Sequence, residues 1–309
     1  DLLWLVPIHP IGRLGRKGTL GCPYSIMDYR GINPEYGDDS SFRSLLEKAH
    51  SIGLGVMLDM VFNHAARDSI YAKNHPEWFH LDSRGAPTTT IEDWSDIACF
   101  RFPNEELREL LIDTLIHWTR LGVDGFRCDV ASLVPLEYWI SARKAVAEVN
   151  PDVVWLAESV YQSWVTDRRH EGFATASDGE LHQVFDATYD YDIWGVWRAA
   201  VTGQGPISRY IEALRIQRGS LPAQAVKMRC VENHDQQRIM TLAPSKSQAL
   251  AWTAFQAFNR GAFMIHAGQE SAATHLPSLF DADKINWGTY ELTDVLKALT
   301  KLKKHPVLS

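Results

Sequence analysis

Gly125-Phe126-Arg127-Cys128-Asp129 is the stretch on which the reading of this chain turns. Arg127 and Asp129 are two residues apart, so on a strand both point to one face. An unpaired carboxylate is costly in apolar surroundings, and an arginine beside it keeps it ionised and nucleophilic. Outward from this point, similar runs recur. Residues 56–62 read as a buried strand ending at Asn63-His64, residues 153–157 as one ending at Glu158, and residues 225–231 as one ending at Glu232-Asn233-His234-Asp235. Residues 2–7, 185–189 and 262–265 are shorter apolar runs of the same kind, which makes seven strands.

Between them the pattern turns helical, over residues 42–52, 105–120, 135–149, 193–214, 248–259 and 292–302. Asn104 reads as an N-cap, with Glu105 and Glu106 in the first turn behind it. Strands alternating with helices imply a parallel sheet covered by helices. Ionisable residues sit repeatedly at the C-terminal ends of those strands, which is where a closed barrel gathers its active face. An open doubly wound sheet that binds dinucleotides would show an early glycine fingerprint, and Gly12, Gly15 and Gly18 have the wrong spacing for it. The expected class is therefore α/β, a (β/α)8 TIM-type barrel with seven strands visible. Residues 1–64 form its first part, residues 65–103 a small excursion rich in Asp, His, Trp and Pro, and residues 104–309 the remainder.

Composition excludes other classes. The 309 residues carry 31 Lys and Arg against 38 Asp and Glu, a formal net charge of -7, which disfavours a nucleic-acid surface. No apolar stretch is long enough to cross a bilayer. The four cysteines are widely separated and form no CxxC, so neither a zinc knuckle nor a redox pair is indicated. A soluble protein is expected, in the cytosol or exported alike. The opening Leu2-Leu3-Trp4-Leu5-Val6 reads as a strand rather than a leader.

The strand ends carry the candidate chemistry. Retaining glycoside hydrolysis needs one ionised carboxylate to attack the anomeric carbon and one acid to protonate the leaving oxygen. Asp129 suits the first role. Glu158 follows an apolar run in which desolvation favours the protonated acid. Asp235 is a third carboxylate, suited to stabilising a positively charged transition state. His64 and His234 can donate to sugar hydroxyls, and Tyr24 can stack on a sugar ring. Each of these residues alone has an ordinary structural reading as a cap, an ion pair or a satisfied core group. Their convergence on one position in the fold sets that reading aside.

At these residues the sequence resembles the α-amylase family of glycoside hydrolases, whose signature regions lie on a (β/α)8 barrel. The resemblance places the first region at Asp59 through His64, with Asp59 structural and His64 a subsite residue. The second falls on Gly125 through Asp129, which implies Asp129 as nucleophile and Arg127 as its partner. Glu158 then corresponds to the general acid/base, and His234-Asp235 to the pair whose aspartate stabilises the transition state. Gly21 through Tyr29 is similar to the family's loop after its second strand, with Tyr24 at the stacking tyrosine. Gly268-Gln269-Glu270 resembles the segment after the last strand.

The resemblance also marks departures. The family's first strand and its C-terminal β-sandwich are not found in this chain. The residues after Asp129, Val130-Ala131-Ser132-Leu133, lack the lysine and histidine of calcium-binding members. No cofactor is expected for the chemistry. A structural calcium would have to use Asn63 and excursion carboxylates such as Asp96. The implied activity is cleavage of α-1,4-glucosidic bonds in maltooligosaccharides or starch-like α-glucans, with no nucleic-acid or membrane partner. An α-glucan transglycosylase shares the same carboxylates, and an inactive carbohydrate-binding homologue would lack one of them. A metal-dependent hydrolase would call for short-spaced histidine motifs, which are absent.

Overall fold

A computed structural model describes residues 1–305, which divide into two compact units, residues 1–186 and the residues from 187 onward. The excursion expected at 65–103 lies inside the first unit.

In the first unit the order is β1 (Leu2–Leu5), α1 (Asp39–Ser51), β2 (Gly55–Met60), β3 (His64–Ala66), α2 (Ile70–Asn74), β4 (Ile97–Cys99), α3 (Glu105–Leu121), β5 (Gly125–Cys128), α4 (Leu136–Ala147), β6 (Val154–Ala157), α5 (Gln162–His170) and α6 (Asp178–Leu181). Strands β1, β2, β5 and β6 are parallel neighbours in that order. The register pairs Trp4 with Met57, Asp59 with Arg127, and Arg127 with Leu156. By the two-residue period, Trp4, Asp59, Arg127, Asp129 and Glu158 therefore point to one face of this sheet. Gly125 sits at a tight point of that face. A Cβ there would lie 2.9 Å from Met57 Cε and 3.0 Å from the Val154 carbonyl oxygen, so no larger residue fits without a shift.

The other face packs on helices. Trp118 from α3, Trp139 from α4 and Trp155 from β6 are fully buried with Phe62 and Tyr29. The Trp118 indole donates to the Tyr29 carbonyl at 2.9 Å, which satisfies its one polar group inside the core. Helix α3 begins as its sequence requires, with the Asn104 side chain accepting from the Leu107 N–H at 3.0 Å. Gly122 closes it in the left-handed conformation. The excursion is a two-stranded antiparallel ladder of β3 and β4, with α2 between them.

In the second unit the order is β7 (Ala187–Tyr189), α7 (Trp194–Val201), α8 (Ile207–Ser220), β8 (Val226–Arg229), α9 (Ile239–Leu242), α10 (Lys246–Phe258), β9 (Ala262–Phe263) and α11 (Thr293–Lys303). Its three strands are parallel, β7 beside β8 and β8 beside β9. With the four of the first unit they are the seven strands expected, each run of strand being followed by helix, and the class is that of a (β/α)8 TIM-type barrel.

Several element bounds depart from the sequence pattern. The helical run read over 193–214 is two helices, because Gly203, with φ at 74°, and Pro206 break it. The run read as helical from residue 135 begins at Leu136, with Pro135 as its N-cap. Strand β9 is only two residues long, and the apolar residues behind it continue as loop. Helix α5 has too few apolar positions to announce itself, and only Val165 and Arg168 along it are buried.

Candidate active site

The buried guanidinium of Arg127 organises the first unit's candidate site. Its Nη1 donates to Asp59 Oδ1 at 2.7 Å and to Asp129 Oδ1 at 2.8 Å, while Nη2 lies 2.9 Å from Glu158 Oε2. The sequence suggested one partner for Arg127, and the structure supplies three carboxylates. Their side chains are almost wholly removed from water. Three carboxylates around one cation leave a surplus of negative charge, so the cluster favours holding a proton. Asp59 shows the effect. Burial pushes its carboxyl up to about 6, against the opposing pull of Arg127, and the charge of Glu158 adds to the rise.

Local backbone places Glu158. Val130, directly after Asp129, stands in the left-handed region with φ 34° and ψ 46°, an uncommon position for a β-branched residue. That conformation turns its N–H onto Glu158 Oε2 at 2.8 Å. Oε2 thus accepts one hydrogen bond, from the Val130 amide, and forms an ion pair with Arg127. Val130 is held there by a small apolar group with Val160 and Val165, against which Trp94, Leu133 and Trp164 pack.

Tyr24 is buried. Its hydroxyl donates to Asp59 Oδ2 at 3.0 Å, and its ring lies under the Arg127 guanidinium, 5.6 Å from ring centroid to Cζ. His64 is buried as well. The Asn63 amide lies 3.2 Å from its Nδ1, and its ring also hydrogen-bonds to the Tyr24 backbone. Burial lowers its basicity to about 3, so the ring is neutral at ordinary pH. Trp94, from the excursion, tilts against it with ring centroids 5.2 Å apart.

Trp94, Val130 and Trp4 are the residues of this site that sequence reasoning passed over. The aromatic richness of the excursion was the one signal for Trp94. Nothing in the sequence signals a left-handed valine.

In the second unit, His234 and Asp235 follow β8 side by side. His234 Nε2 lies 3.2 Å from Asp235 Oδ2, with the histidine buried and the aspartate exposed. Asn233 accepts from the Asp235 N–H at 2.9 Å and donates to the Tyr191 hydroxyl at 2.9 Å, which fixes the turn. Glu232 is fully buried and paired with Arg238 at 2.7 Å, while its second oxygen accepts from the Ile239 N–H. Glu270 accepts from the Gly268 N–H.

Asn63 and Asp96, the residues a structural calcium would use, have the following surroundings. The Asn63 amide nitrogen faces His64, and Asp96 Oδ1 lies 3.3 Å from the Lys17 ammonium. A cation is therefore already supplied at Asp96 by the chain itself.

Residues 1–301 match the model of the alpha amylase catalytic domain. The chain belongs to the alpha-amylase family. Over its whole length it superposes on the crystal structure of an alpha-amylase from Lactobacillus plantarum with a TM-score of 0.97 and 45% identity, covering 73% of that chain. It is 35% identical over 188 residues to an alpha-1,4-glucan:maltose-1-phosphate maltosyltransferase of Cereibacter sphaeroides, a match covering 54% of this chain and 32% of that protein. It is 27% identical over 296 residues to neopullulanase 2 of Thermoactinomyces vulgaris, covering 87% of this chain and 48% of that protein. The chain thus spans about a third to a half of the length of these curated relatives. No helix among the described residues is long and apolar enough to cross a membrane.

Proposed function

We propose that this alpha-amylase-family domain is a retaining glycoside hydrolase that cleaves α-1,4-glucosidic bonds in maltooligosaccharides or starch-like α-glucans. The observation that carries the reading is that Asp129 and Glu158, at the ends of adjacent strands, both lie against a single buried guanidinium, that of Arg127. Asp129 attacks the anomeric carbon and forms the glycosyl-enzyme. Arg127 keeps its carboxylate ionised for that attack. Glu158 gives its proton to the leaving oxygen and then takes one from the incoming water. Because Oε2 already accepts from Val130 and faces Arg127, the proton of the acid form belongs on Oε1.

Asp235 carries the transition-state role that its motif implies, with His234 beside it, while Tyr24 and His64 contribute to binding the glucosyl unit. No metal ion takes part in the chemistry, and activity should survive treatment with a chelator. Turnover of maltoheptaose by the wild type, Asp129→Asn and Glu158→Gln tests the assignment. Each substitution should lower kcat by several orders of magnitude in a folded protein. Near-normal turnover by folded Asp129→Asn would remove it as nucleophile.

A second reading is supported by the likeness to a maltosyltransferase, in which another sugar rather than water meets the glycosyl-enzyme. Products longer than the input maltoheptaose would favour transfer over hydrolysis.

A further inference from the structure

Trp4 lies on β1, the one strand of the first unit's sheet to which the family motifs assign no role. Its side chain faces the charged side of that sheet. The indole N–H donates to Asp59 Oδ2 at 3.3 Å, and the ring lies 5.3 Å from the Arg127 guanidinium carbon. Asp59 Oδ2 is thereby bracketed by two neutral donors, Trp4 and the Tyr24 hydroxyl, while Oδ1 takes the guanidinium. Trp4 and Tyr24 also present their rings to the same cation, so Arg127 is bounded by aromatic faces as well as by carboxylates.

We propose that Trp4 is a positioning residue for the reaction centre: its indole keeps Asp59 an acceptor and so keeps Arg127 aligned on Asp129 and Glu158. This rests on the function proposed above and extends it to a residue of β1. An ionised Asp59 draws Nη1 toward β2 and anchors the guanidinium from the side away from the chemistry. A protonated Asp59 exerts a weaker pull, and Arg127 then answers to Asp129 and Glu158 alone. The groups facing Asp59 are Arg127 from β5, Tyr24 from the loop after β1 and Glu158 beyond β6, with Asp129 linked through Arg127, while Cys128 of β5 feels its charge from the opposite face of the sheet. Among these, burial and the charge of Glu158 favour the proton on Asp59, and each donor opposes it. Removing the Trp4 N–H therefore makes Asp59 hold its proton to higher pH.

Trp4→Phe keeps an aromatic ring and removes the donor. In the otherwise intact chain, the indole N–H resonance that this substitution deletes from the NMR spectrum should titrate in mildly acidic solution, and Asp59→Asn should abolish that titration. The acid limb of kcat/KM for Trp4→Phe on maltoheptaose should move to higher pH by about half a unit or more. At fixed acid pH that appears as a roughly threefold or larger loss in kcat with little change in KM. In an Asp59→Asn background the same substitution should leave the limb where it is. An indole resonance indifferent to pH, or an unmoved acid limb in an active Trp4→Phe enzyme, overturns the proposal. If the wild type turns over no α-glucan, the hydrolase reading fails, and the resonance still decides the contact on its own.

Discussion

Val130 shows how much of the site depends on a single backbone conformation. A β-branched residue at φ 34° costs on the order of 1 to 3 kcal/mol, and the surrounding structure must over-determine it. The return is a backbone donor on Glu158. Val130→Gly relieves the strain but loosens the donor and empties the pocket shared with Val160 and Val165. The account expects kcat to fall about tenfold while the melting temperature changes by only a few degrees, measured by steady-state kinetics and thermal unfolding. A variant that melts far lower, or that keeps full kcat, would show that the conformation serves only folding. Residues whose chemistry is in their side chains, Asp129, Glu158 and Arg127, could be picked out as candidates from their places at strand ends, and the structure brings the three together. Val130 was not, because φ is imposed by packing. Trp4 was not, because its partner Asp59 lies 55 positions away and only the register of β1 on β2 unites them.

At the scale of elements, the parallel order of β1, β2, β5 and β6 turns scattered residues into one charged face. The strands were readable because buried parallel strands are continuous apolar runs, and α3 because its cap and its glycine stop follow local rules. Less legible were elements set by tertiary context. Helix α5 is mostly exposed, the break between α7 and α8 rests on Gly203 and Pro206, and the β3–β4 ladder of the excursion is only three residues deep. Two substitutions test the element-level reasoning. Asn104→Ala should cost about 1 kcal/mol by removing the cap of α3, with kcat unchanged. Gly125→Ala should cost more, about 1 to 3 kcal/mol, because its Cβ meets the Val154 carbonyl at 3.0 Å. Denaturant unfolding of both variants gives the comparison, and equal effects would contradict the close approach at Gly125.

For the molecule as a whole, buried titratable groups set the response to acid. Burial lowers the basicity of His9 to about 4 and that of His64 and His266 to about 3. Their folded pKa values lie below the unfolded value of about 6.5, so the unfolded chain binds protons first on acidification. The stability they contribute is present above pH 6.5 and is lost as pH falls toward 4 and then 3. Asp59 acts in the opposite sense: its carboxyl is raised to about 6, so its contribution is present below about pH 4 and is lost as pH rises through 6. Three histidines outweigh one aspartate. The melting temperature should fall continuously from pH 7 to pH 4, and a Tm that rises over that interval would mean the histidines are not held neutral.

The same balance of burial and charge at Arg127 underlies the functional claim, which reduces to one covalent bond. A fluorinated α-glucosyl fluoride that traps a glycosyl-enzyme, followed by mass spectrometry of the digested protein, tests it most directly. The account predicts a single added glycosyl unit on Asp129, absent from Asp129→Asn. A label on any other carboxylate, or turnover of the active wild type with initial release of the β-anomer from an α-linked maltooligosaccharide, would contradict it.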